Sequence, residues 1–281
     1  MLNITKQNKE NKNDKLNELC DEYDQFLEAW QQKQELAKLV PPREITAERP
    51  KLSAEEIAQI VELLAGSTRL PAILLSADDY VTRGNAYYEA GDYQQALEAY
   101  NRALEISRDD PVPLTNRSAT LHKLGRYQEA LEDCNRALEL SPEHPAALYN
   151  RGTLLSMMER YEEALDDYSR VLTILSDQPV VLNNRGSALT ALGRCEEALM
   201  DYNRALELRP DATLARYNRA RAYSLLGRPE ESLQDLETAI KGDEKWRGMA
   251  RTDEDFEKLR NDPGYGPRFR KLVGEQDHSE G

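Results

Sequence analysis

At 281 residues, with 31% charged and 40% hydrophobic side chains, the chain is long enough for one or two domains with a substantial core, and its composition is that of a soluble, helix-rich protein. Its 51 acidic residues outnumber 37 basic ones, and the net charge of -14 argues against nucleic acid or an anionic membrane as the main partner. The apolar stretch within LPAILL is far too short to insert in a membrane, and the charged opening MLNITKQNKENKNDK leads into no apolar segment of a secretory signal.

In chain order, the first predicted element is a charged amphipathic helix over residues 14–39. Leu16, Leu19, Tyr23, Phe26 and Trp30 fall at alternating steps of three and four and make one apolar stripe. Pro41-Pro42 ends it, and a Pro-containing linker completes the segment 1–50. Within 51–76, Ser53-Ala54-Glu55-Glu56 matches a capping box that opens a short helix, with Ile57, Ile60, Val61 and Leu64 on one side and Gly66 at its close. Both stripes need a partner. The first helix is expected either to dock as an N-terminal cap on the repeats that begin at Ala77 or to act as an arm for self-association through residues 14–39.

From Ala77 to Trp246 the chain repeats itself at a period of 34 residues, in five units: 77–110, 111–144, 145–178, 179–212 and 213–246. One position per unit is always small, filled by Gly84, Ser118, Gly152, Gly186 and Ala220, as close approach of two helices demands. A second small column is Ala96, Ala130, Ala164, Ala198 and Ser232; the larger residues that fill the space between are Tyr100, Cys134, Tyr168, Tyr202 and Leu236. Spacings of three, four and seven mark two amphipathic helices per unit, broken by Gly91, Gly125, Gly193 and Gly227. Pro111, Pro142, Pro179 and Pro210 punctuate the junctions between units. Each unit is therefore a helical hairpin.

A stack of hairpins leaves an apolar face open at its end, so ARTDEDFEKLRNDPGYGPRFRKLV is expected to form a capping helix over 247–275, followed by a tail at 276–281.

The pair Asn-Arg recurs at Asn116-Arg117, Asn150-Arg151, Asn184-Arg185 and Asn218-Arg219. Asp133, Asp167, Asp201 and Asp235 recur in step on the second helices, whereas the first unit has Ala99. An Arg and an Asp at constant separation predict a bidentate ion pair inside each hairpin, Arg117 with Asp133, Arg151 with Asp167, Arg185 with Asp201 and Arg219 with Asp235. The asparagine stands one residue earlier, about 100° around the helix, and points away from that tie.

GNAYYEAGDYQQALEAYNRALEI and NRGSALTALGRCEEALMDYNRALELRP carry small, aromatic and Ala anchors in a pattern that resembles the tetratricopeptide repeat family. Departures are Met158-Glu159 in place of the turn glycine of the third unit, and Cys195 and Pro229 in place of the aromatic after the turn. The resemblance implies an all-α fold, a right-handed α-solenoid of five hairpins with an N-terminal helical extension and a C-terminal capping helix. First helices line the concave face in that family. It therefore implies a partner-binding groove lined by Asn85, Asn116, Tyr149, Asn150, Thr153, Asn184, Ser187, Tyr217, Asn218 and Arg221.

Asparagine donates and accepts at once, so a ladder of four can hold a peptide backbone whatever its side chains. With helices packed roughly 8 to 10 Å apart and an extended peptide advancing about 3.3 Å per residue, four rungs track roughly nine to twelve residues. The alternative is that each asparagine bonds only to the adjacent repeat. Co-chaperones of the family grip acidic C-termini with a clamp of Lys, Asn, Asn, Lys and Arg; the matching positions here hold Val81, Asn85, Asn116, Ala146 and Asn150, so both asparagines are present and every cation is missing.

No phosphate loop and no Ser, His or Cys constellation is present, and His122, His144 and His278 are scattered. Cys20, Cys134 and Cys195 have neither zinc nor disulfide spacing, which fits a reducing, cytoplasmic setting. The expected function is that of a noncatalytic scaffold, without metal or cofactor, that binds a protein or extended peptide in complex assembly. A chaperone-linked adaptor lacking the basic clamp and a regulatory subunit of an enzyme are the alternatives.

Overall fold

The computed structural model describes residues 76–275. The helices expected at 14–39 and 53–66, the self-association arm and the tail from Gln276 lie outside the described residues. The described residues form two compact units, 76–154 and 155–275. Both are helical, with no strand among the described residues and no helix long and apolar enough to cross a membrane.

The first unit holds α1 (Ala77–Glu89), α2 (Tyr93–Ile106), α3 (Pro111–Lys123), α4 (Tyr127–Leu140) and α5 (Pro145–Met157), whose last turn passes into the second. Here α1 pairs with α2 and α3 with α4 as hairpins, and α3 packs on α2. In the second unit α6 (Tyr161–Ile174) packs on α7 (Pro179–Ala191), α7 pairs with α8 (Cys195–Leu208), α8 packs on α9 (Thr213–Leu225), and α9 pairs with α10 (Pro229–Gly242). Consecutive helices in packed pairs are the architecture that the 34-residue period predicts.

Local chemistry fixes the ends of these helices. Ser76 and Asp79 form a capping box at the start of α1: the Asp79 amide donates to Ser76 Oγ at 3.2 Å and the Ser76 amide to Asp79 Oδ2 at 2.8 Å. Asp92 and Asp110 accept from the Gln95 and Val112 amides at α2 and α3. Proline opens α3, α7 and α10, where a missing N–H costs nothing. Inside the hairpins the turn residue is left-handed, with φ from 69° to 77° at Gly91, Gly125, Gly193 and Gly227. Where the third hairpin lacks that glycine, Glu159 takes the same conformation at φ 61° and bears the strain of a side chain there.

The cores are built by matched volumes. A Cβ placed on Gly186 would stand 2.7 Å from Tyr202 Cε1, so the small residue is what admits the ring. In the second hairpin the pair becomes Ser118 and Cys134, 3.2 Å apart from Oγ to Sγ; in the fifth it becomes Ala220 and Leu236, both in one buried cluster. Each larger small residue is met by a smaller large one.

The expected single capping helix over 247–275 is corrected to short pieces: α11 (Lys245–Thr252), a 3-10 turn (Glu254–Phe256), α12 (Glu257–Asn261) and α13 (Gly266–Val273). Two aspartates break it. Asp253 accepts from the Asp255 amide, and Asp262 Oδ1 accepts from the Gly264 and Tyr265 amides at 2.8 and 2.9 Å. The pieces bury Trp246, Phe256 and Phe269 against the last hairpin, with the Trp246 ring stacked 4.6 Å from that of Tyr217.

Candidate partner-binding face of the first helices

Arg117 Nε donates to Asp133 Oδ2 at 2.7 Å while its Nη2 donates to Oδ1 at 2.6 Å. Arg185 and Asp201 repeat the fork at 2.8 and 2.7 Å, and Arg219 and Asp235 at 2.6 and 2.8 Å. In all three the carboxylate is buried and the guanidinium partly exposed. Burial outweighs the Arg117 guanidinium and leaves the Asp133 carboxyl above its ordinary value. Arg151 and Asp167 belong to different units; Asp167 is buried, and Arg151 Nη1 donates to Asn135 Oδ1 at 3.1 Å.

That last bond belongs to a column the sequence analysis did not single out. Arg117 Nη1 donates to Asn101, Arg185 Nη1 to Ser169 and Arg219 Nη1 to Asn203. The residues accepting these bonds, Asn101, Asn135, Ser169 and Asn203, sit on the second helix of the preceding hairpin, 34 residues apart. Their constant spacing was the signal available. The arginine therefore ties its own hairpin and also fastens it to its predecessor.

The asparagines reach across to the preceding hairpin, as in the second of the two readings that the sequence allows. Asn116 Nδ2 donates to Asn85 Oδ1 at 2.9 Å, Asn150 Nδ2 to Ser118 Oγ at 3.0 Å and Asn218 Nδ2 to Asn183 Oδ1 at 3.0 Å, each across a hairpin junction. Asn150, Asn184 and Asn218 are only 2 to 4% exposed. The rotation of 100° that takes the asparagine off the Arg–Asp tie turns it into the contact between successive first helices, where the amide must be satisfied by protein.

The other expected groove residues divide. Tyr149 and Tyr217 are fully buried, and Thr153 is buried with its hydroxyl on the Tyr149 carbonyl at 3.0 Å. Asn85 and Asn116 are half-buried, with Asn85 Oδ1 also accepting from Tyr100 OH at 2.7 Å. Ser187 is half-buried on α7, and Val112 on α3 is 38% exposed. At the clamp positions, Asn116 donates to Asn85 while Ala146 and Asn150 are buried, and no cation stands among them.

Arg221, expected as the groove's fixed positive charge, is enclosed by the C-terminal segment. Its Nε lies 3.1 Å from Asp253 Oδ2, its Nη2 bonds Asp255, and Tyr217 OH donates to Asp253 Oδ2 at 2.8 Å. The two carboxylates hold the guanidinium pKa above its ordinary value in spite of the burial that opposes it, and burial with the adjacent Asp253 pushes the Tyr217 phenol well up. The last hairpin thus presents no open cation on this face.

The tetratricopeptide repeat profile matches residues 111–177 and 177–245, and a TPR repeat profile matches 84–125, so that together they run over more than half of the chain. Among solved structures the chain is similar to MamA, at 20% identity and a TM-score of 0.53 over 60% of this chain and 92% of that one. It is also similar to YrrB, a TPR protein with an unusual peptide-binding site, at 23% identity and a TM-score of 0.52 over 68% and 94%. A third is TTC0263, a thermophilic TPR protein in Thermus thermophilus, at 23% and 0.52 over 63% and 98%. At these identities the likeness shows the fold. No curated protein matches the chain.

Proposed function

Since the chain belongs to the tetratricopeptide repeat family, a protein-interaction scaffold in general, we propose that it is a noncatalytic scaffold that binds an extended partner polypeptide along its first helices and serves in complex assembly. The observation that carries this reading is the double fastening of successive hairpins, by arginine to the preceding second helix and by asparagine to the preceding first helix. Such fastening holds the first helices of a unit at fixed spacing before any ligand arrives, and a preorganised row loses little freedom on binding. The asparagines set the spacing, and contact with the partner falls to the less buried positions of this face, Val112 and the half-buried Asn85, which also bonds Asn116, in the first unit and Ser187 in the second. The peptide-binding site of YrrB supports a peptide as ligand for this fold. The net charge of -14 disfavours nucleic acid, and the buried thiols of Cys134 and Cys195, in no disulfide, fit a reducing cytoplasm.

The test is cross-linking of the full chain to partners captured from its native source, with the Asn85→Arg and Ser187→Arg variants alongside. Cross-links on α1, α3 and α7 that weaken in the variants are the expected result. Unchanged capture by both variants, or cross-links confined to second helices, would refute the reading.

A further inference from the structure

The first hairpin breaks the rule that the others keep. Sixteen residues after Arg117, Arg185 and Arg219 comes an aspartate; sixteen after Arg83 comes Ala99. Arg83 makes no ion pair among the described residues. Its stem is nevertheless placed like that of a tied arginine, for Arg83 stands 5.5 Å over the ring of Tyr87, four residues on, as Arg219 stands 5.9 Å over Tyr223. Where the carboxylate is missing there is a cavity of about 180 Å³, whose lining includes Arg83, Tyr87, Gln95, Glu98, Ala99 and Arg102.

We propose that this cavity is a carboxylate-binding site, in which an Asp or Glu side chain from outside the hairpin takes the place of the absent aspartate and is held by the fork of Arg83. The chemistry is that of the three complete forks: two parallel N–H donors matched to two oxygens, beside a second cation, Arg102. Arg102 is already engaged by Glu105 at 2.8 Å, so it contributes field rather than a free fork. Tyr87 OH, which accepts from Arg83 Nη2 at 3.2 Å, keeps its own proton free to donate to the incoming group. Glu98, exposed on the rim, opposes an anion and sets the affinity low. The site lies between α1 and α2, shares α1 with the face of the proposed function, and stands or falls without that reading.

The carboxylate has two sources, a partner polypeptide or the acidic residues of segment 1–75. The experiment records the Arg83 Nε–H resonance of the full chain by NMR while N-acetyl-aspartate methylamide is added, with the asparagine analogue as neutral control. For a partner-supplied carboxylate, the signal shifts saturably with the aspartate probe alone. The shift is weakened at least tenfold in Ala99→Asp, whose own carboxylate fills the fork, and strengthened in Glu98→Gln. For a carboxylate from 1–75, wild type ignores the probe but already shows a solvent-protected Arg83 Nε–H, and replacing the acids of 1–75 by amides removes the protection and restores the response. An Arg83 Nε–H that exchanges freely and ignores the probe in both forms overturns the proposal. Ala99→Asp gives a second reading, because a fork that forms there raises the melting temperature, and an unchanged or lowered one shows that the geometry does not accept a carboxylate.

Discussion

Arg185 and Asp201 meet across the fourth hairpin as fork on fork, Nε to Oδ2 at 2.8 Å and Nη2 to Oδ1 at 2.7 Å, with the aspartate side chain 7% exposed and the arginine 27%. A carboxylate so placed has given up water and depends on its partner. Arg185→Gln is expected to cost about 2–4 kcal/mol, toward the lower end because the guanidinium is partly solvated. Arg83→Gln in the first hairpin, where no carboxylate among the described residues pairs with Arg83, is expected to cost less than about 0.5 kcal/mol when no acid from 1–75 fills the fork. Urea unfolding of both variants checks the contrast, and equal losses would show that the arginine acts by packing rather than by pairing.

The volume match of Gly186 with Tyr202 predicts compensation. Gly186→Ala brings a Cβ to 2.7 Å from the ring, and overpacking of this kind costs about 1–3 kcal/mol. Gly186→Ala combined with Tyr202→Leu reproduces the Ala220 and Leu236 pair of the fifth hairpin. The double variant is expected to be more stable than the sum of its single changes allows by about 1 kcal/mol. Strict additivity in the cycle rules out direct contact as the cause.

The Arg–Asp forks were legible before any coordinate, because both partners lie in one unit and their separation of sixteen is constant. The role of the asparagines was legible only as one of two readings, a groove ladder or a bond to the adjacent repeat. A rotation of 100° says that Asn218 faces elsewhere than Arg219, but what stands there, Asn183, sits 35 residues earlier on another hairpin. The acceptors of the third arginine bond, Asn101, Asn135, Ser169 and Asn203, recur at the same period as the arginines and were hidden by lying on second helices that read as a solvated face. Arg221 was misplaced for a different reason. Its partners Asp253 and Asp255 lie past the last repeat, where the period gives no guidance.

Asn218 is a test of the fastening role. With Asn218→Ala the buried Asn183 Oδ1 loses a donor at 3.0 Å, and the loss of one such hydrogen bond costs about 0.5–1.5 kcal/mol. Ser187→Ala, on the same face but only half-buried, is expected to stay within about 0.5 kcal/mol of the parent. Hydrogen exchange locates the effect: faster exchange is expected in α9 together with α7 after Asn218→Ala, and an effect confined to α9 would mean that the bond does not join the hairpins.

The lock on Arg221 predicts that the C-terminal pieces hold on by charge as well as by aromatic packing. Asp253 accepts from Tyr217 OH at 2.8 Å and lies 3.1 Å from Arg221 Nε. Asp253→Asn removes the charge while keeping the shape, and is expected to destabilise the chain by about 2–3 kcal/mol because the enclosed guanidinium keeps only Asp255. Near-ultraviolet dichroism of Trp246, stacked on Tyr217, reports the loosening. An unchanged melting temperature would place the stability of this end in the aromatic cluster alone.

Acid sensitivity follows from two histidines of the first unit. Burial pushes the His122 imidazole from 6.5 down to about 4, and burial also lowers His144. His144 has a further reason to stay neutral: its Nδ1 accepts from the Ala147 amide at 3.3 Å at the start of α5, where a proton would remove the acceptor and set a positive charge on the positive end of the helix. With folded values below the unfolded value near 6.5, the unfolded chain binds more protons in between. Stability is therefore complete above about pH 6.5 and is lost as the pH falls toward about 4, where His122 protonates in the folded state as well. His122 alone is expected to cost about 1 kcal/mol between pH 7.5 and 5.5, above the range in which ordinary carboxylates titrate. Denaturant titrations at these two pH values check it. The slope should flatten in His122→Gln, and further when His144→Asn supplies a cap that does not titrate; a slope the double variant leaves intact would assign the acid sensitivity to other groups.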